Sequence, residues 1–191
     1  MRTFWFSIPV AVLALVVAGG ISAQPVNYAA GMTYTADPPL RTDWLGDAGG
    51  ELTNGVKDWA WDPVTGWDGS VAVNPRSIVI DLASAKSDIG SVVVTVFVSI
   101  SSAVPAQKQI LVSGSSTSAT TGFADWGEAV TEDTGAEANY TYTWTGGPVA
   151  ARWVKLILES EVAGHHSLLS EIEVFKSEGT SAVGDEWMLY Q

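Results

Sequence analysis

The run Ser91-Val-Val-Val-Thr-Val-Phe-Val-Ser-Ile100 is β-branched almost throughout, and χ1 crowding against the preceding turn makes such a run a poor helix and a good strand. Ser77-Ile-Val-Ile-Asp-Leu82 has the same character, so both read as central strands. Gln109–Ser113 reads as a shorter one. Asn139-Tyr-Thr-Tyr-Thr-Trp-Thr145 alternates aromatic with threonine at period two, which places one face in a core and the other in water. Arg152–Glu159 and Leu169–Phe175 complete the series, separated by a loop that carries His165 and His166. No segment sustains a helical period. Strands of five to ten residues divided by Gly, Ser, Asp and Pro segments predict an all-β, antiparallel two-sheet sandwich or jelly roll. The Ser113–Gly122 segment is low in complexity, and it is expected to be a mobile loop because strand signals continue on both sides.

The ends differ from this pattern. Residues 1–23 hold one charge, Arg2, then an apolar run from Ile8 to Ala18 and small residues before Gln24, which is the form of a secretory signal peptide. The apolar run is shorter than the roughly 20 residues of a membrane span. Residues 24–176 are then one domain, and 177–191 a C-terminal tail whose Trp187, Met188, Leu189 and Tyr190 suit either an added strand or a frayed end. The expected location is secreted, periplasmic or on a cell surface.

Charge narrows the partners. The chain has 21 acidic and 9 basic residues, a net charge of −12, so it repels phosphate backbones and anionic lipid. Nucleic acid is excluded as a partner, and membrane binding is disfavoured. There is no cysteine, which removes disulfides, zinc thiolate sites and cysteine nucleophiles. No Gly-x-Ser-x-Gly elbow, His-Glu-x-x-His pair or phosphate-binding glycine loop occurs, so no enzyme chemistry is expected.

The loop Glu51-Leu-Thr-Asn-Gly-Val56, followed by Trp59, Trp61 and Trp67, combines turn residues with oxygen donors and indoles. Leu52 and Val56 would anchor it, and Asn54-Gly55 would supply the positive φ angles of a tight turn. Asn54, Asp58 and main-chain carbonyls would face a hard cation. The other reading is a simple hairpin turn beside buried tryptophans.

The order of several blocks resembles one family. Asn27-Tyr-Ala-Ala-Gly-Met-Thr-Tyr34 is similar to the opening of discoidin domains, the coagulation factor five/eight type C group. Leu52-Thr-Asn-Gly55 resembles their L-T-D-G loop, Ile78-Val-Ile-Asp-Leu82 their V-x-I-D-L-G strand, and Ala151-Arg-Trp-Val-Lys-Leu156 their A-R-Y-V-R-V strand. Leu169-Ser-Glu-Ile-Glu-Val-Phe175 resembles the closing D-E-I-E-V-Y. The middle strand departs from the pattern: Ile110-Leu-Val-Ser113 runs into a rebuilt serine- and threonine-rich loop, and a tryptophan appears only at Trp126. The resemblance implies a galactose-binding-like jelly roll of discoidin type, similar to family 32 carbohydrate-binding modules, and therefore a non-catalytic, lectin-like protein.

What the resemblance implies about sites is specific enough to test. Sugar-binding relatives hold a structural calcium, and the matching positions are Glu51, Leu52, Asn54, Asp58 and Glu171. A sugar needs an aromatic face and directional polar groups. Trp44, Trp61, Trp126, His165 and His166 fall in predicted loops, with Arg41, Asp43, Asp62 and Asp68 as hydrogen-bonding partners. Trp144 and Trp153 lie on strands and are expected in the core, as is Trp59 or Trp67. The expected partner is a glycan or cell-surface polysaccharide. The alternative is an extracellular adhesion protein that meets another protein through the same loops.

Overall fold

The structure is a computed structural model that describes residues 24–41, 50–57, 64–70, 73–132, 137–160 and 164–178. Residues 1–23, read above as a signal peptide, the residues beyond Glu178 and the stretches holding Asp43, Trp44, Asp58, Trp59, Trp61 and Asp62 lie outside the described residues. Among the described residues seven strands follow in order: β1 (Tyr34–Asp37), β2 (Thr65–Trp67), β3 (Arg76–Val98), β4 (Gln107–Ser115), β5 (Ala124–Ala129), β6 (Ala138–Ser160) and β7 (Ser167–Lys176). Short 3-10 turns occupy Glu51–Thr53 and Ile100–Ser102. Among the described residues no helix is long and apolar enough to cross a membrane.

Two strands of 23 residues organise everything else. The first half of β3 pairs with β1 (Tyr34↔Ile80) and with the second half of β6 (Arg76↔Leu158), which in turn pairs with β4 and β4 with β5. The second half of β3 pairs with the first half of β6 (Val94↔Tyr142) and with β7 (Val94↔Ile172), and β7 carries β2 at its start. The result is an antiparallel sandwich of a five-stranded and a four-stranded layer, all pairs antiparallel. Between Asp81 and Ser91 the β3–β6 register shifts repeatedly, and Ala83 takes a positive φ of 63°. Such irregularities bend a ladder. Here they carry both long strands from one layer to the other. Ser77–Leu82 and Ser91–Ile100 are therefore parts of one strand, which ends at Val98 with Ile100 in the following turn. Asn139–Thr145 and Arg152–Glu159 are joined likewise.

The core follows from alternation. Ile78, Ile80 and Leu82 from one layer meet Val92, Val94, Tyr140, Tyr142 and Trp144 from the other in a single buried cluster. Trp67 is fully buried, as expected. Trp153 is not: it pairs with Asp81 and lies half-buried on the outer face, because Val154 beside it takes the inward position. Trp126 is on β5 rather than in a loop. Its ring stacks on Trp144 at 5.1 Å between centroids and lies across Gly114, where a Cβ would sit 2.0 Å from a ring carbon. The Ser116–Gly122 loop is tied to the strand before it. Ser115 Oγ accepts from the Thr117 and Ser118 amides and donates to the Thr121 carbonyl, which closes the loop on itself.

Candidate functional site

A bulge in β7 prepares the first part of the site. Thr95 pairs with Glu171 but Val96 pairs with Leu169, so Ser170 is extra. Leu169, Ile172 and Val174 all join the core, and the extra residue turns Glu171 and Glu173 to the outer face. The Glu51–Lys57 segment crosses there. Gly31 N–H donates to the Thr53 carbonyl (2.7 Å), Thr53 Oγ1 to the Met32 carbonyl (2.8 Å), and Gly55 N–H to Glu171 Oε2 (3.1 Å). Lys57 pairs with Glu173, and Asn139 Nδ2 donates to the Lys57 carbonyl at 3.0 Å. Leu52 is buried in the core and serves as the anchor that its sequence suggests.

The turn itself differs from expectation. Asn54 has φ −89° and only Gly55 is left-handed, at φ 85°. Asn54 folds its side chain back instead, so that Oδ1 accepts from Val56 N–H at 2.8 Å. Glu51 Oε2 accepts from Gly50 N–H at 3.1 Å. Among the described residues no three His, Cys, Asp or Glu side chains gather to hold a metal. Among the described residues the carboxylate best suited to a cation is Glu171. It is fully buried, and Oε1 has no hydrogen-bond partner. Burial above all, with the Glu173 charge adding, pushes its pKa up to about 7, against the Gly55 amide and Lys57, which lower it. Of the expected ligands Glu171 would be the one to meet a calcium ion; Asn54 would have to release Val56 to join it, and Asp58 is outside the described residues.

The second part lies at the end of the sandwich where β3, β4 and β7 begin and β2 ends. Gly69 packs so closely on Gly164 that a Cβ would be 2.4 Å from its carbonyl oxygen, and this contact holds the Asp68–Ser70 turn against the histidine loop. Arg41 pairs with Asp68, whose Oδ1 also accepts from Ser70 N–H at 2.7 Å. Behind them Arg76 is buried over the Trp67 ring, 5.6 Å from its centroid, and donates to Ser167 Oγ and to the His165 carbonyl (3.2 Å). Gln107 Nε2 reaches the same Ser167 hydroxyl at 3.4 Å. His166 N–H donates to the Ala103 carbonyl at 3.2 Å. Burial, then the charges of Arg41, His165 and Arg76, hold the His166 imidazole below its ordinary pKa, so it is neutral at pH 7.

Arg41, His165 and His166 thus come together as the sequence suggests, joined by Asp68. Trp126 does not join them. Trp44 and Trp61 are outside the described residues. Arg76, Ser70, Gln107 and Ser167 were not anticipated, although Arg76 had a readable signal. It continues the inward period of Ile78 and Ile80, and an inward arginine at the head of a strand marks a buried polar site. The cluster is half open: Arg41 is 36% exposed in its side chain, while Asp68 is 8% exposed. It offers a cationic donor, an imidazole and carbonyl groups to a small polar ligand, and the Ser70 hydroxyl donates to Asp68 Oδ1 beside them.

No protein-family model matches the sequence, and no curated protein matches it either. Solved structures do. The chain is similar to SpGH29 at 15% identity with a TM-score of 0.55, over 81% of this chain but only 28% of that one. It is similar to the family 32 carbohydrate-binding module of NanJ from C. perfringens, solved with galactose, at 20% identity over 80% of this chain and 98% of that one, with a TM-score of 0.54. A Streptococcus pneumoniae fucose-binding module matches at 16% identity, over 80% and 96% of the two chains, with a TM-score of 0.54. This chain spans about a quarter of SpGH29 and nearly all of each module. The layered strands described above are therefore the jelly-roll fold of family 32 carbohydrate-binding modules and discoidin-like lectin domains.

Proposed function

We propose that this chain is a secreted, non-catalytic carbohydrate-binding module that holds a sugar at the loop end of the sandwich. The convergence of Arg41, Asp68, His165 and His166 on that end carries the proposal, on a fold shared with modules described as binding galactose and fucose. Arg41 would donate to vicinal hydroxyls while Asp68 fixes its guanidinium, and neutral His166 would offer one more directional contact. Trp44 and Trp61, three residues from Arg41 and from Val64 in sequence, are the proposed stacking faces. A calcium ion at Glu171 is proposed as structural: it would satisfy Oε1 and stiffen the Glu51–Lys57 segment.

A glycan array tests the sugar directly. The unaltered chain is expected to retain at least one glycan, and Arg41→Ala, Trp44→Ala and Trp61→Ala to lose it. An array on which the unaltered chain retains nothing would remove the proposal. For calcium, chelation is expected to lower the melting temperature and added calcium to restore it.

A further inference from the structure

Trp153 is the residue that the loop-end site does not explain. It stands on the outer face of the five-stranded layer, and its position there is fixed. Arg152 stacks on the indole at 4.5 Å from the centroid and holds Asp81 in a two-pronged pair, at 2.9 and 3.0 Å. The register sets Thr35, Val79, Lys155, Ser113 and Asp125 in one line across all five strands. At usual strand spacing that line is roughly 19 Å long. Two clefts lie along it, one on each side of Lys155. The first, of about 170 Å³, is walled by Trp153, Thr35, Asp81 and Ala119 over Val79. The second, of about 290 Å³, is walled by Phe123, Asp125 and Ser113 over Leu111 and Ile157.

We infer that this face, from Trp153 to Phe123, is a second glycan-binding surface, which takes a stretch of neutral linear polysaccharide. The inference rests on the glycan-binding reading and extends it to a different part of the fold. Each cleft pairs an aromatic ring with hydroxyl and carboxylate groups, the combination that a pyranose with one apolar face requires. The apolar groups form two small islands, Trp153 with Val79 and Phe123 with Leu111 and Ile157, parted by Lys155 and edged by Asp81, Asp125 and hydroxyls, unlike the single contiguous apolar centre of a protein interface. Charge selects the class of glycan. Asp81 is neutralised by Arg152, Lys155 and Asp125 have opposite signs, and the chain as a whole, at −12, repels acidic polysaccharides. The walls are preformed, since the Ser116–Gly122 loop that brings Ala119 and Phe123 to the face is closed by Ser115 Oγ and by Ser116 Oγ donating to the Ala150 carbonyl at 3.4 Å. This is the loop that departs from the discoidin pattern. With a loop-end site on the same module, one polymer bound at both places gains by effective concentration rather than by any new contact.

Affinity gel electrophoresis in soluble galactan, xylan and mixed-linkage glucan tests it, with the full chain, Trp153→Ala, Phe123→Ala, Thr35→Arg and Arg41→Ala. Thr35 is exposed, so the arginine fills the first cleft without touching the core. Trp153→Ala and Thr35→Arg are each expected to weaken retardation at least tenfold, with melting temperatures near that of the unaltered chain, while Arg41→Ala keeps part of it. If Trp153→Ala and Thr35→Arg are retarded like the unaltered chain and Arg41→Ala is not, all binding belongs to the loop end: the inference is overturned and the proposed function stands. If no polysaccharide retards the unaltered chain and the glycan array is also empty, both fall.

Discussion

The Gly55 amide donates to Glu171 Oε2 at 3.1 Å across 116 positions of sequence. That bond joins the loop after β1 to the last strand, and it exists only because the Ser170 bulge turns Glu171 out of the core. The other oxygen of the same carboxylate is buried without a partner. The contact is thus strong on one side and costly on the other.

Stability should fall as pH rises through the range set by Glu171. Its pKa is about 7 in the fold and 4.5 ordinarily, so between those values the folded chain keeps a proton that the unfolded chain has released. The fold is favoured most below pH 4.5 and carries the full penalty above 7, roughly 3 kcal/mol at most. Glu171→Gln keeps the acceptor for Gly55 and removes the proton. Its melting temperature is expected to lose this slope and to exceed that of the unaltered chain at pH 8. Calcium added at pH 8 should raise the unaltered chain alone; no rise would remove the metal from Glu171.

Arg76→Met should destabilise the loop end. Methionine fills the space over Trp67 but takes the guanidinium donor from the His165 carbonyl and leaves Ser167 Oγ with only the 3.4 Å contact from Gln107 Nε2. A loss of roughly 2–3 kcal/mol is expected, seen as a melting temperature lower by roughly 5–10 °C. Glycan affinity should fall with it, because the His165 loop loses its tie.

Gly69→Ala separates positioning from stability. The new Cβ meets the Gly164 carbonyl, a main-chain group that has no rotamer to move aside, so the two loops must part. Backbone resonances of His165 and His166 are expected to shift, and glycan affinity to drop, for a stability cost of roughly 1–3 kcal/mol. Unmoved resonances would show that the loops do not depend on this contact.

Ser115→Ala opens the serine- and threonine-rich loop. The Thr117 and Ser118 amides, the Thr117 hydroxyl and the Thr121 carbonyl all converge on that hydroxyl, and without it the two amides lose their acceptor. Hydrogen exchange at these two amides is expected to accelerate at least tenfold, with the core strands unchanged. Equal exchange in both proteins would mean that the loop is held by other contacts.

The layered strands were legible because their period is unambiguous: Tyr140, Tyr142 and Trp144 point inward as their alternation with threonine requires. Trp153 was misplaced for a local reason. Arg152 and Trp153 are both half-buried where the β6 register slips, so a rule of alternation started from either one fails there. Glu171 stands in a motif that marks it as special, but its burial comes from a distant loop and a bulge, and neither has a local code. Trp126 sits on β5 with its ring over Gly114 of the neighbouring strand, a contact between strands that its own segment does not announce. The loop-end cluster was half visible: Arg41 and the histidines announce themselves by type, whereas Ser167 and Gln107 matter only through Arg76.

Because β3 and β6 each serve both layers, neither layer can form by itself. Arg76 must find Leu158, and Val98 must find Ala138, before either face has anything to pack against. Closing such distant pairs costs chain entropy that nearby contacts do not repay in advance, which places this topology among the slower folders. The same sharing binds the finished halves into one cooperative unit. Strands that delay assembly also prevent the layers from opening one at a time.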